Sequence, residues 1–123
     1  SEVLHLVSGS SVLSPAWANP WLARPDGSPL TTPDVWFDDV AMAVMVHSRR
    51  YHAEGERWDD TVEADSDLVA AGVVVVGVTP HRIRADPPRV LHRLERAYLA
   101  AAARPRPAVV ARPRLVHRRR PVG

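Results

Sequence analysis

The sequence predicts a single α/β domain, in which helices pack on a mixed β-sheet. Short apolar segments with strand-like composition fill the first half of the chain, and helical patterns alternate with a run of valines in the second half. The length of 123 residues, of which 46% are apolar, suits one domain with its own core. No run of 18 apolar residues occurs, so no membrane span is expected.

The first half of the chain predicts a meander of three antiparallel strands. Residues 20–24 and 28–37 flank the segment Pro25–Ser28, and a Pro-Asp-Gly turn between apolar residues indicates a hairpin. Asp38 and Asp39 then suit a second tight turn, and the apolar run from Val40 to Val46 follows as the next strand. The two turns together bring three strands side by side in one sheet.

The second half predicts a helix, a buried strand and a last helix. The segment from Gly55 to Ala71 has its apolar residues at helical spacing, and Gly72 is suited to end this helix. The residues that share the predicted helix face are Trp58, Val62, Asp65 and Val69. The run Val73–Val78 is nearly pure valine, which predicts a strand buried on both faces. Asp86 is then placed to cap a last helix, with proline in its first turn.

Charge is distributed unevenly along the chain. Residues 1–103 hold nine arginines and fourteen acids, a balance of −5, while residues 104–123 hold seven arginines and no acid, a balance of +7. We expect residues 1–16 to be an N-terminal segment, residues 17–103 the folded domain, and residues 104–123 a basic Pro/Arg-rich disordered tail. Such a tail is usually solvated and binds polyanions such as nucleic acid weakly.

The chain lacks both cysteine and lysine, and both absences bear on function. The chain has no cysteine, which rules out disulfides and thiolate metal sites and fits a cytoplasmic protein. It also has no lysine, because all 16 basic residues are arginine. A nuclease motif that needs a lysine is therefore incomplete in this sequence.

Four residues are candidates for a catalytic or metal-binding site. Asp34 opens a strand, His47 ends the apolar run that follows, and His52 comes five positions later. These groups can bind a metal or move a proton, and their spacing suits a Mg²⁺-dependent phosphodiesterase site. Asp65 lies on the predicted apolar stripe of its helix, where a carboxylate is costly unless it is paired or bound.

Each candidate also has a structural explanation. Asp34 suits a turn after Pro33, the two histidines suit exposed strand-end or loop positions, and Asp65 suits a buried pair with an arginine. Tryptophan can stack nucleic-acid bases, although packing is its more common role in a small domain. The chain has four tryptophans, at Trp17, Trp21, Trp36 and Trp58.

The order of these residues resembles a known family. The stretch from Trp17 to Tyr98 is similar to the small bacterial endonuclease-like domains related to the very-short-patch-repair endonuclease, within the PD-(D/E)XK restriction-endonuclease-like superfamily. The matching elements are Pro33-Asp34, the strand ending at His47, His52, and the block Asp65-x-x-Leu68-x-x-x-Gly72 before the valine strand. The resemblance implies a restriction-endonuclease-like fold and DNA as the substrate.

The resemblance also implies roles for the matching residues. Asp34 would hold Mg²⁺, with a further oxygen ligand from a strand carbonyl near Val46. His52 would activate the attacking water, and His47 would stabilise the phosphate. On the helix, Asp65 is one of the acids that would complete the metal site.

The sequence departs from the family pattern at several of these positions. Many relatives carry acid-x-acid where this chain has Met45-Val46-His47, and methionine is a poor ligand for a hard cation. Relatives also often have an acid near the position of Thr61, for which Asp60, Glu63 or Asp65 would have to substitute.

Two hypotheses therefore remain open. The first is a metal-dependent endonuclease that hydrolyses DNA phosphodiesters. The second is a catalytically inactive nuclease-fold module with a DNA-binding or structural role. The departures from the pattern, the absence of lysine and the acidic balance of residues 1–103 favour the second, because a DNA-binding body would normally present a basic face.

Overall fold

The computed structural model describes residues 1–48 and 55–114. Within these residues the helices are α1 (Glu2–Ser8), α2 (Gly55–Ala70), α3 (Pro80–Ala85) and α4 (Pro87–Ala102). The strands are β1 (Trp17–Ala18), β2 (Trp21–Ala23), β3 (Val35–Phe37), β4 (Met42–Val46), β5 (Val74–Val78) and β6 (Val110–Arg112). None of these helices is long and apolar enough to cross a bilayer.

A mixed four-stranded sheet forms the centre of the molecule, in the spatial order β1-β3-β4-β5. β3 is antiparallel to β1 and to β4, and Val35 lies opposite Val44. β5 runs parallel to β4, with Val76 beside Val44. Parallel neighbours need a long crossover connection, and α2 forms part of it. The predicted mixed sheet with flanking helices is confirmed.

Two hydrophobic clusters cover the two faces of this sheet. Successive residues of a strand point to opposite faces, so Val35 belongs to one cluster and Trp36 to the other. The first cluster joins the sheet to α1, α3 and α4, and includes Ile83 and Leu94. The second cluster joins it to α2, β2 and the C-terminal segment, and Leu68 of α2 is fully buried there.

The helix ends follow the capping residues in the sequence. Asp86 is the N-cap of α4, where its carboxylate accepts a hydrogen bond from the backbone N–H of Arg89 at 3.3 Å, with proline in the first turn. Thr79 caps α3 in the same way. Gly72 follows α2 with a φ of +92°, a conformation that glycine adopts without strain. The predicted cap at Asp86 and the predicted stop at Gly72 are both confirmed.

The buried face of α2 differs from the predicted stripe. Val62 and Val69 are exposed, while Leu68 is completely buried. Asp65 lies between these two faces and is partly buried. The valines were expected to face the core because of their helical spacing, but the helix is rotated so that its smaller residues and Leu68 face the sheet.

The Pro25–Ser28 turn forms, but its second arm does not continue as a strand. The backbone N–H of Arg24 donates to the carbonyl of Ser28 at 2.9 Å, and beyond it a single bridge joins Ala23 to Pro29. Asp26 accepts hydrogen bonds from the hydroxyl and backbone N–H of Ser28, which lower the pKa of the Asp26 carboxyl. The first strand of the meander is therefore β1, and not the predicted segment 20–24, which contains β2.

The first sixteen residues pack as part of the folded body. Val3 and Val7 of α1 are buried in the first cluster. The Ser10 hydroxyl donates to the carboxylate of Glu95 on α4 at 2.6 Å. The expected boundary between an N-terminal segment and the domain at residue 16 is therefore not a structural boundary.

Residues 104–114 also pack against the body, so the prediction of a disordered tail is wrong for this part. β6 pairs antiparallel with β2, and Val109 is buried in the second cluster. Arg106 donates from Nε to the Asp38 carbonyl at 2.6 Å and from Nη2 to the Asp38 carboxylate at 2.9 Å. Strand pairing and these charge-assisted bonds offset the ordering entropy of a proline-rich segment. Residues 115–123 lie outside the described residues.

Candidate functional site

Asp34 lies directly before β3, where it engages the neighbouring strand. Its carboxylate Oδ2 accepts a hydrogen bond from the backbone N–H of Val46 at 2.7 Å. The register that pairs Val35 with Val44 places Asp34 opposite Met45. Asp34 therefore joins the start of β3 to the end of β4, and one of its two oxygens is used in doing so.

His47 lies directly after β4, at the same end of the β3–β4 pair as Asp34. Its backbone N–H donates to the carbonyl of Val78 at 2.8 Å and so extends the parallel pairing of β4 with β5. Its imidazole lies against Gly77 of β5: a Cβ built at Gly77 would be 3.1 Å from His47 Cδ2 and 3.4 Å from Nε2. Glycine at this position thus leaves the space that the ring occupies.

Asp65 reaches the imidazole of His47 from α2. Its Oδ2 lies 3.3 Å from His47 Nε2, and the two side chains are 27% and 17% exposed. The indole of Trp58, two turns earlier on the same face of α2, meets the same imidazole edge-on, with ring centroids 6.4 Å apart. The second carboxylate oxygen of Asp65, Oδ1, is buried without a hydrogen-bond partner among the described residues.

An open, largely apolar groove runs beside this pair. Its volume is about 530 Å³. The lining residues include Val62, Asp65, Ser66, Val69, Val75 and Gly77. Asp65 therefore borders a groove that is open to solvent along the exposed side of α2.

The structure brings together some of the four predicted site residues. Asp34 and His47 lie at the same end of two neighbouring strands, and Asp65 contacts His47. His52, and with it Arg49 and Arg50, lies outside the described residues. Within residues 1–48 and 55–114, no three His, Asp or Glu side chains are grouped so as to hold a metal ion.

The donor set therefore does not fit a Mg²⁺ centre within the part of the chain that the structure describes. Mg²⁺ needs near-octahedral oxygen ligands. The Asp34 carboxylate is bonded to a backbone N–H, and the Asp65 carboxylate is paired with a histidine. The two expected metal ligands thus belong to two separate interactions.

Two contacts at or near the functional candidates were not predicted from the sequence. The first is that of Gly77 with the His47 ring; the available signal was the single glycine that interrupts the valine run, and the structure places it in register with Met45. The second contact joins Trp21 of β2 to Arg112 of β6, whose guanidinium lies 5.5 Å from the centre of the indole ring. No pattern in the sequence predicted it, because the two strands are far apart in the chain.

The four tryptophans differ in environment. Trp36 is completely buried, and its indole N–H donates to the Asp38 carboxylate at 3.0 Å. Trp17 and Trp58 are partly buried. Trp21 is 46% exposed. Packing therefore accounts for Trp36, whereas Trp21 is the most accessible of the four.

Comparison with known proteins adds no relationship to this geometry. No protein-family model, curated protein or solved structure matches the chain.

Proposed function

We propose that the chain is a non-catalytic member of the restriction-endonuclease-like superfamily that binds DNA. One observation carries the proposal: the two carboxylates expected to share Mg²⁺ are held apart in separate pairs, Asp34 with the Val46 N–H and Asp65 with His47. The mixed sheet with flanking helices and the position of Asp34 and His47 at one end of two strands support the family relationship.

The arrangement supports a structural role for the former site residues. An aspartate that accepts a backbone N–H at a strand end satisfies a donor that would otherwise be unpaired. The His47–Asp65 pair likewise joins the end of β4 to α2. Both interactions work without a metal ion and without a substrate.

Charge supports DNA as the partner. The seven arginines of residues 104–123 have no acid among them, and the segment begins on the folded body. Each arginine that neutralises a phosphate releases counterions, so this binding would depend strongly on salt concentration. The body, with its balance of −5 over residues 1–103, would contribute less.

A second candidate function is metal-dependent phosphodiester hydrolysis. It is favoured by the position of Asp34 and His47 at one end of two neighbouring strands and by the contact of Asp65 with His47. It is also favoured by Oδ1 of Asp65, which has no hydrogen-bond partner among the described residues. His52, the residue expected to activate water, stays a prediction.

The two functions are separated by metal binding and cleavage. Calorimetric titration with Mn²⁺ and a plasmid-nicking assay would be run on the wild type, on Asp34→Ala and on the double variant Met45→Glu/His47→Asp. For a non-catalytic module we expect no nicking by any of the three proteins, and metal binding only in the double variant, where two acids return to the strand end. Nicking by the wild type that is lost in Asp34→Ala would establish the nuclease instead.

DNA binding is tested with two charge-matched triple variants of the full chain. Arg118→Gln/Arg119→Gln/Arg120→Gln removes three charges from the C-terminal segment. The control removes three exposed arginines from α4, at Arg89, Arg93 and Arg96. We expect the first variant to lower the slope of log K against log [salt] by up to about 3, and the second to leave it nearly unchanged. No binding to any DNA at low salt would overturn the proposed function.

A further inference from the structure

Trp21 is an exposed aromatic residue on the small sheet of β2 and β6. It is 46% exposed, while its neighbour Leu22 is 1% exposed. Arg112 lies directly opposite Trp21 in the antiparallel pairing, and its guanidinium lies 5.5 Å from the centre of the indole ring. The outward face of this sheet thus presents an indole with a cation beside it.

The residues around this pair are basic or apolar. Val110, on the same strand as Arg112, is 42% exposed, and Arg114 follows two positions later and is exposed. The segment 104–123, to which Val110, Arg112 and Arg114 belong, contains no acid. On the β2 side the nearest acid in the chain is Asp26, whose carboxylate is bonded to Ser28 within its own turn.

We propose that Trp21 and Arg112 form a stacking platform for single-stranded nucleic acid. The inference rests on the proposed function, because it assigns that function a surface and a preferred substrate class. An unpaired base can stack on the indole, since every base has a π-face, while arginines beside it bind the adjacent phosphates. In duplex DNA the bases are stacked on one another, so no base face is free to stack on the indole, and the arginines would contact mainly the phosphates.

The position of the pair strengthens this assignment. Arg112 and Trp21 belong to strands joined by backbone hydrogen bonds, so both side chains project from a fixed platform and lose little freedom on binding. Arg114 follows β6 and is exposed, so it could bind a phosphate next to the one bound by Arg112. The platform lies on different strands from the Asp34–His47 end of the sheet, and its role does not depend on that site.

The test uses the full chain, a labelled single-stranded 20-mer oligonucleotide of mixed sequence and its duplex, with fluorescence anisotropy at low salt. Trp21→Leu keeps an apolar side chain without a π-face, and Trp21→Phe keeps a ring. We expect Trp21→Leu to weaken binding of the single strand about tenfold and that of the duplex less than twofold. Trp21→Phe should retain most of the single-strand affinity.

A matched control is Leu99→Ala, which removes another exposed apolar side chain, 56% exposed on α4, and should change neither affinity. Circular dichroism and the melting temperature of each variant establish that it is folded. A second probe, Arg112→Gln, leaves Trp21 in place and should weaken single-strand binding several-fold.

Four outcomes would overturn the inference. Equal losses for single strand and duplex in Trp21→Leu would mean that the indole only supports the arginines. Binding of both nucleic acids unchanged in Trp21→Leu would mean that the surface is elsewhere, although the proposed function would stand. The wild type and Trp21→Leu would also be tested for binding to anionic vesicles of phosphatidylserine and phosphatidylcholine. If Trp21→Leu lost vesicle binding while its nucleic-acid binding stayed intact, the pair would be assigned to a membrane surface. Absence of any nucleic-acid binding by the wild type would overturn both proposals.

Discussion

Gly77 of β5 leaves free the space that the imidazole of His47 occupies. A Cβ at Gly77 would be 3.1 Å from His47 Cδ2, closer than an ordinary van der Waals contact. The imidazole that meets Asp65 therefore depends on a missing side chain on the next strand. A β-branched residue at position 77 would fit the surrounding strand composition, but would occupy the same space as the ring.

We predict that Gly77→Ala displaces the imidazole of His47 and weakens its contact with Asp65. Overpacking of this kind costs typically about 1–3 kcal/mol. Urea denaturation would measure the loss, and the NMR signals of the His47 ring would shift. Gly9→Ala is the control, because the nearest atom to a Cβ there is 3.6 Å away. Unchanged His47 signals in Gly77→Ala would contradict the prediction.

Asp34 should stabilise the fold by accepting a hydrogen bond, and not through its negative charge. Asp34→Ala leaves the backbone N–H of Val46 without its acceptor at 2.7 Å, and we expect a loss of about 1–2 kcal/mol. Asp34→Asn keeps an acceptor oxygen and should lose less than half as much. Urea denaturation of the two variants is the measurement. Equal losses in both would show that the negative charge is what the fold requires.

Removal of residues 104–123 should destabilise the protein strongly, because Val109 is buried and Arg106 is bonded to Asp38. We expect a loss of at least about 3 kcal/mol, equivalent to a fall in Tm of roughly 10 °C or more. A chain ending at Arg114 is the control, since it keeps β6 and the bonds of Arg106. If both truncated chains melted at the wild-type temperature, the packing of residues 104–114 would make no net contribution.

The stability of the protein should fall more steeply above pH 10 than it would without Tyr98. The Tyr98 hydroxyl donates to the Asp39 carboxylate at 2.5 Å, and this hydrogen bond, together with burial, raises the pKa of Tyr98 above its ordinary range. The stabilisation is fully present below the unfolded pKa, and is lost as pH rises through the higher folded pKa.

Tyr98→Phe removes this hydrogen bond and should cost about 1 kcal/mol at neutral pH. The difference in stability from the wild type should then shrink as the pH rises above 10. Thermal denaturation between pH 7 and pH 11 would show it, with Tyr51→Phe as the control for the second tyrosine. A constant difference across this range would mean that Tyr98 titrates equally in the folded and unfolded chains.

Local patterns predicted the second half of the fold well, because its boundaries depend on nearby residues. Asp86 and Gly72 each determine a helix end within a few residues of themselves. The valine run forms β5 as predicted, but β5 lies last in the strand order and is buried only at Val76 and Val78, so it is not buried on both faces as expected. β6 could not be predicted in this way. Its partner β2 lies far away in the chain, and the surrounding segment 104–123, rich in proline and arginine, has a composition typical of an extended solvated segment.

The candidate site was predictable to a similar extent. The predicted strand ends correctly placed Asp34 and His47 at the same end of two neighbouring strands. In the structure α2 is rotated so that Asp65 contacts His47 while Val62 and Val69 face solvent. The spacing of the hydrophobic residues predicted a different rotation, in which both valines face the core. A shift of one residue around a helix turns a side chain by roughly 100°, so the partners of a helical carboxylate need the packed structure.

The pairing of β2 with β6 sets an order of events during synthesis of the chain. β2 ends at Ala23 and β6 begins at Val110, and at ribosomal rates of about 5–20 residues per second the second strand is made roughly 4–17 s after the first. During that interval the second hydrophobic cluster, which includes Leu22, is incomplete, because Val109 is the last of its buried residues to be synthesised. The nascent chain therefore exposes an unpaired strand edge and an open apolar face until its arginine-rich end emerges, and this is the stage at which a chaperone that binds apolar segments would protect it.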